Sequence, residues 1–182
     1  MLNVYVKKWS KQETPWQCLL AEIIEKEYLK KTCPEILRDE YGKPYFADHS
    51  LHFNISHSGD YVAMAVSEHP VGIDLQKIKE VREGMYRKAV LPREQILIRE
   101  ESRTRDFIHL WALKESFTKA EGKGLRIPLK EYYFEKEKER YFVNYGGQRQ
   151  PWLFNIEETQ IEDYVICVCG LEPEITWKIE PR

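Results

Sequence analysis

Apolar and polar residues alternate over LNVYVKK (2–8), the period of a half-buried strand, and the run is β-branched. From residue 14 to 31 the period lengthens. Leu19, Leu20, Ile23, Ile24 and Tyr28 recur at helical spacing behind Thr14 and Pro15, an N-cap followed by a residue favoured in the first helical turn. EILRDEYGKPYF (35–46) predicts a strand, a tight turn at Tyr41-Gly42 and a short extended segment, with Lys43 biased to extended geometry by the proline after it. Three strand-like runs follow: HFNISH (52–57), YVAMAVS (61–67) and VGIDLQ (71–76), the first two joined by Ser58-Gly59-Asp60. Helices are predicted over 92–101 and about 104–121, the second with Thr104 as N-cap and Gly122 as its stop. EYYFEKE, RYFVNY, WLFNIEE, YVICVCG and ITWKIE then read as strands. One long helix and several mostly antiparallel strands in each half predict an α+β fold, with no sequence repeat of fixed period.

Composition narrows this picture. The chain has 182 residues, enough for one domain or two small subdomains sharing a core, and 42% hydrophobic residues without low-complexity tracts predict a packed globule. A formal net charge of −2 gives no long-range attraction to nucleic acid or to an anionic membrane. No apolar run is long enough for a membrane span, and MLNVYVKKWSKQ has no secretory pattern, so a cytoplasmic protein is expected. Cys18, Cys33, Cys167 and Cys169 lack zinc-site spacing and are expected to be buried, reduced thiols.

Three clusters carry candidate chemistry. FNISHSGD (53–60) puts Ser56, His57 and Ser58 beside a glycine turn, which suits either a phosphate or a turn capped by its own Ser and Asp. In VGIDLQ, Val71, Ile73 and Leu75 share one strand face and Gly72, Asp74 and Gln76 the other. An acid on a buried strand needs a partner: Asp74 with Gln76 can face a hard cation, or Asp74 can cap backbone N–H groups. In WALKESFTKAEGKGL (111–125), Trp111, Glu115 and Lys119 follow at i, i+4 and i+8 along one stripe, with Phe107, Leu110, Leu113 and Phe117 completing the apolar face. Lys114 lies about 100° round the helix from Glu115 and is expected to face elsewhere. Taken alone, Glu115 and Lys119 also fit an exposed i,i+4 ion pair. No nucleophile elbow or P-loop is present.

In this order, with YGKP (41–44) ahead of them, FNISHSGD, VGID and LWALKESFTKAEGKGL resemble the motif set of the 4′-phosphopantetheinyl transferases, most nearly the surfactin-synthetase-activating type with KES in its helix. The resemblance is clear over about residues 36–136. It implies two similar α/β subdomains related by a pseudo-twofold axis, here 1–69 and 70–182, with coenzyme A in the cleft between them. It implies transfer of the 4′-phosphopantetheine arm of coenzyme A to a serine of an acyl or peptidyl carrier protein, with release of adenosine 3′,5′-bisphosphate. Asp74 and Glu115, with Gln76 beside them, would hold Mg²⁺; Glu115 would also take the serine proton, and Lys119 would contact the phosphates. His57, with Ser56, would hold the 3′-phosphate, while Gly42, Lys43 and Pro44 would border the adenine end. The cleft would be complete within one chain, a monomer.

Two departures stand out. Gln76 replaces an acid that many members carry, which implies a metal site leaning more on the bound diphosphate. The segment before the first long helix is short, with Lys7, Lys8 and Lys11 as candidate substitutes for a basic stretch of longer relatives. Basic or apolar residues of the 85–99 region, Lys88 and Arg93 among them, are candidates for contact with the carrier. The rival readings are a degenerate homologue that binds coenzyme A or a carrier without turnover, and an unrelated metal-dependent nucleotidyl or phosphatase enzyme.

Overall fold

Strand β1 (Leu2–Lys8) forms as predicted and lies at the heart of a four-stranded sheet in the computed structural model, which describes residues 1–10, 14–28, 32–123, 126–157, 161 and 163–180. Its neighbours are β5 (Tyr61–Ser67), antiparallel, and the C-terminal strand β12 (Ile175–Ile179), parallel, with Val4 opposite both Ala65 and Trp177. Strand β4 (His52–Ser58) pairs with β5 on the outer side, closing the order β12-β1-β5-β4.

Helix α1 (Trp16–Glu27) packs Leu20, Ile23 and Ile24 on this sheet against Tyr5, Val62, Met64 and Val66. It starts later than predicted. Pro15 sits at the N-cap with extended geometry, and the Thr14 N–H donates to Ser10 O (3.1 Å) instead of Thr14 capping the helix. Residues 29–31 of the predicted helix lie outside the described residues. The hairpin β2 (Ile36–Arg38) and β3 (Pro44–Phe46) turns through Gly42 at φ +84°, a conformation that a side chain disfavours.

A second sheet has the order β10-β11-β6, built from β6 (Gly72–Lys77), β10 (Leu153–Glu157) and β11 (Tyr164–Gly170). Its β6 edge abuts β4, but side chains rather than a backbone ladder bridge the seam. Asn54 Oδ1 accepts the Ile73 N–H (2.9 Å), Ser56 Oγ the Leu75 N–H (3.1 Å) and Ser58 Oγ the Lys77 N–H (3.0 Å). Alternate residues of β4 thus satisfy alternate donors of β6, as strand periodicity allows. This overturns the idea that the serines merely cap their own turn.

Helix α3 (Arg103–Ala120) lies across β6 and β11 with Phe107, Leu110, Leu113 and Phe117 buried, as predicted. Ser102 precedes it, and Thr104 falls within the helix instead of capping it; the Ser102 hydroxyl donates to Asp106 (2.8 Å). Gly122, at φ +78°, follows its end as expected. The approach to the sheet is close: a Cβ on Gly72 would lie 2.0 Å from Ser116 O and 2.5 Å from the Ala120 nitrogen. Since both are backbone atoms, Gly72→Ala is expected to cost about 1–3 kcal/mol, read as a lower midpoint in chemical denaturation. An unchanged midpoint would mean that α3 can lift off β6 freely.

The segment that joins β6 to α3 departs most from expectation. The helix expected over 92–101 is two 3₁₀ segments, Pro92–Leu97 and Glu100–Ser102, broken by Ile98 in extended geometry. Ahead of them stands α2 (Glu83–Ala89), which was not anticipated because Ala89 is its one buried residue and no apolar stripe marks it. A further small sheet, β7 (Tyr132–Glu137), β8 (Arg140–Tyr145) and β9 (Gln148–Arg149), covers α3 with Tyr132, Phe134 and Val143. Cys167 and Cys169 are buried as expected, whereas Cys18 is exposed and Cys33, packed against the edge of the core under α1, is half-buried. Among the described residues no helix is long and apolar enough to cross a membrane.

Candidate active site

Along α3, Trp111, Glu115 and Lys119 are half-buried while residues 112–114 and 116–118 are buried, so the predicted stripe is the accessible one. It opens over the seam between β4 and β6. The Lys119 Nζ lies 2.7 Å from Asp74 Oδ1 and also donates to Ser56 Oγ (3.1 Å) and Ile73 O (3.0 Å). Lys119 therefore pairs across the helix–strand interface and not along its own helix.

Asp74, only 2% exposed, accepts from three side chains: Lys119 and the Ser56 hydroxyl (3.0 Å) at Oδ1, and the Gln76 amide (2.8 Å) at Oδ2. Side chains, not capping backbone N–H groups, thus compensate the buried acid. The Ser56 oxygen gives its proton to Asp74 and receives the Leu75 N–H and Lys119, which uses its whole hydrogen-bonding capacity.

Glu115 feels the same charge. Burial first, then the negative charge of Asp74, pushes its carboxyl up to about 7, against the opposing pull of Lys119. A carboxylate so placed suits proton transfer near neutrality. Two carboxylates and an amide oxygen form a hard donor set, the kind that takes Mg²⁺ jointly with substrate phosphates. Among the described residues no group of three or more His, Cys, Asp or Glu side chains gathers as a metal site, in keeping with Gln at position 76.

The structure separates two residues that the sequence placed together. Ser56 and His57 are neighbours on a strand and project to opposite faces: Ser56 is buried toward Asp74, and His57 is exposed, its ring 5.2 Å from that of Trp9. Lys43 is also committed. Its ammonium donates to the carbonyls of Lys119 (2.6 Å) and Ala120 (3.3 Å), capping the C-terminus of α3, and burial pulls its pKa below the ordinary lysine value. Pro44 lines a recess with His57, Trp9, Trp16 and Arg38. Lys7 pairs with Glu180 (2.8 Å) and Lys8 is exposed, while Lys11 and the Gly124-Leu125 end of the helix motif lie outside the described residues.

Lys114 does face away from Glu115, as expected. It is wholly buried, with Nζ 2.8 Å from Glu94 Oε1 and 4.9 Å from the centre of the Tyr132 ring. Glu94, equally buried, accepts the N–H groups of Phe134 and Leu91 (2.9 Å each). The pair fastens α3 to the 92–97 segment and to β7. Of the surface residues in the 85–99 region, Met85 and Lys88 are exposed, and Arg93 lies over the Tyr133 ring at 4.2 Å. Asn54, Trp9 and Glu94 were missed as site-shaping residues. Alternation along β4 places Asn54 beside Ser56, and that signal was available.

The model of the 4′-phosphopantetheinyl transferase superfamily matches residues 70–169, which include β6 and α3. The 4′-phosphopantetheinyl transferase gsp of Aneurinibacillus migulanus is 33% identical over 170 residues, covering 88% of this chain and 71% of that protein. The 4′-phosphopantetheinyl transferase Sfp of Bacillus subtilis (strain 168) is 32% identical over 162 residues, 86% of this chain and 72% of the relative. More distant in organism, the L-aminoadipate-semialdehyde dehydrogenase-phosphopantetheinyl transferase of Mus musculus is 32% identical over 155 residues, 70% of this chain and 50% of that one. The motifs on β4, β6 and α3 and the extent of these matches agree: this chain belongs to the 4′-phosphopantetheinyl transferase superfamily and is of its Sfp-like type.

Proposed function

We propose that the chain moves the 4′-phosphopantetheine arm of coenzyme A onto a serine of an apo acyl or peptidyl carrier protein. The observation that carries this reading is the meeting of Asp74, Glu115 and Lys119 at an accessible seam, in a chain of this family. The carrier serine oxygen attacks the phosphorus that bears pantetheine, the bond from that phosphorus to the bridging oxygen breaks, and adenosine 3′,5′-bisphosphate leaves. Glu115 accepts the serine proton at a carboxylate oxygen. Lys119, already bridging α3 and β6, turns its ammonium to the diphosphate and offsets charge on the leaving group. Asp74 and Glu115, with the Gln76 amide oxygen, would hold Mg²⁺, which when bound supplies charge neutralisation at the diphosphate.

His57 and Pro44 border the adenosine end, and Lys43 contributes by tying the YGKP turn to the end of α3. The two helix-on-sheet halves are read as similar subdomains, 1–69 and 70–182, about a pseudo-twofold axis, with β12 returning to the first sheet. On this reading coenzyme A lies along the seam, and the site is complete in one chain acting as a cytoplasmic monomer.

Incubation with coenzyme A, Mg²⁺ and a panel of apo carrier domains tests the proposal. The expected result is a carrier whose intact mass rises by one phosphopantetheine. Coenzyme A binding with no mass change on any carrier would instead show a binding module, and hydrolysis of coenzyme A without an acceptor would show a different enzyme.

Gln76→Glu separates the two jobs of position 76. It exchanges a hydrogen-bond donor on Asp74 for a second negative charge. The metal-free protein should lose about 1–2 kcal/mol in thermal denaturation, while the Mg²⁺ concentration for half-maximal turnover falls. An unchanged Mg²⁺ dependence would remove Gln76 from the metal site.

A further inference from the structure

We propose that Lys119 is a latch on Asp74: its ammonium holds the carboxylate in the free protein and gives it up to a metal only when a diphosphate ligand draws the ammonium away. Metal binding thereby depends on coenzyme A. The inference deepens the transferase reading and rests on it for the metal-binding role of Asp74.

Every hydrogen that the ammonium can donate is in use. Lys119 Nζ gives one to Asp74 Oδ1 (2.7 Å), one to Ser56 Oγ (3.1 Å) and one to Ile73 O (3.0 Å). Asp74 is engaged at both oxygens. Oδ1 receives Lys119 and the Ser56 hydroxyl, and Oδ2 receives the Gln76 amide N–H (2.8 Å). Among the described residues, Lys119 is the cation paired with this acid. A hard dication needs bare carboxylate oxygens, and an ammonium on the same oxygen repels it.

Gln76 strengthens the latch. Its side chain is neutral, so one ammonium offsets the charge of Asp74, whereas an acid at this position would leave a surplus negative charge beside it. The amide also turns its N–H side to Asp74 and must rotate before its oxygen can face a metal.

What opens such a contact is an anion. The ammonium reaches from the accessible stripe of α3 to β6, and taking it off the strand breaks its bonds to Asp74, Ser56 and Ile73. The charged oxygens of a diphosphate replace those bonds. A free dication offers the ammonium nothing and adds positive charge next to it. Coenzyme A and the metal then bind cooperatively, each raising the affinity of the other by the same factor.

Electron paramagnetic resonance of Mn²⁺, as a probe for Mg²⁺, tests this on the wild type, Lys119→Met and Lys77→Met, with and without coenzyme A. The arms with coenzyme A are corrected for Mn²⁺ that it binds in solution. Lys77 lies at the end of β6 over the Tyr164 ring, on the opposite strand face from Asp74, and controls for the loss of a nearby positive charge. The wild type should bind Mn²⁺ weakly alone and about tenfold or more tightly with coenzyme A. Without coenzyme A, Lys119→Met should bind Mn²⁺ about tenfold or more tightly than the wild type, and Lys77→Met should differ from it by less than about twofold. Lys119→Gln, which keeps a hydrogen-bond donor and loses the charge, should show the same gain and serves if Lys119→Met does not fold. No gain in either Lys119 variant, or an equal gain in Lys77→Met, would overturn the latch. So would a wild type that binds Mn²⁺ as tightly without coenzyme A as with it. A wild type that modifies no carrier, while its Lys119 variants still gain Mn²⁺ affinity, would sink the transferase reading and leave the latch standing.

Discussion

Glu115→Gln should reduce carrier modification by about 10²–10⁴-fold while leaving the protein folded, the range expected when a positioned general base is removed. The substitution keeps the shape of the side chain and removes its ability to accept a proton. It also relieves the fold. Burial and the Asp74 charge raise the carboxyl from 4.5 to about 7, so the folded state binds this proton more tightly than the unfolded state does. With a raised acid, stability falls as pH rises from about 4.5 to about 7, and the full cost of ionisation is present above that. Glu115→Gln escapes the cost, so in the presence of a chelator the variant should match or exceed wild-type thermal stability at pH 8 and show a flatter slope between these two pKa values. Activity and stability therefore move in opposite directions. An inactive variant that is also less stable at pH 8 would point to a structural role for Glu115, and a variant with near-wild-type turnover would remove it from the chemistry.

Lys114→Met should destabilise the protein by about 3–5 kcal/mol, because it leaves the Glu94 carboxylate fully buried without its countercharge. For a chain of this length that corresponds to a fall in Tm on the order of 10 °C. The double substitution Lys114→Met/Glu94→Gln should recover part of the loss. The amide carries no charge, but the Leu91 and Phe134 N–H groups meet different oxygens of the carboxylate, and in Gln one of those two positions becomes an NH₂ donor. A double variant no better than the single one would mean that packing around the lysine stem, and not the unpaired acid, sets the cost. Lys114 adjoins Glu115 in the chain, but its part is to hold the helix.

The stripe of Trp111, Glu115 and Lys119 was legible in the sequence because helical spacing depends on a single element. The acid on β6 was legible for a similar reason: alternation assigns its face. What these residues touch was not. Lys119 could be seen to match Glu115 at i,i+4, yet its partner is Asp74, which comes from a strand 45 positions earlier. The buried Glu94 was hidden because the segment carrying it looked like an ordinary amphipathic helix. Pro92, the Glu94 side chain bonded back to Leu91 and the break at Ile98 instead make it a 3₁₀ turn. The recess around Arg38 draws on α1, the hairpin and β4, so no local pattern announces it. Ser56 and His57 show the opposite error, since nearness in sequence stood in for nearness in space.

The seam between the sheets makes Ser56 a shared component. One oxygen atom receives an amide of β6, receives the ammonium of Lys119 and gives its proton to Asp74. Architecture and chemistry therefore cannot drift independently at this position. A change selected for its effect on the acid also alters how the two sheets join, and a change that repairs the join alters the field at the acid. Evolutionary tuning of this site must pass through the outward-facing members, Glu115 and Gln76, whose side chains bear no strand-to-strand bond.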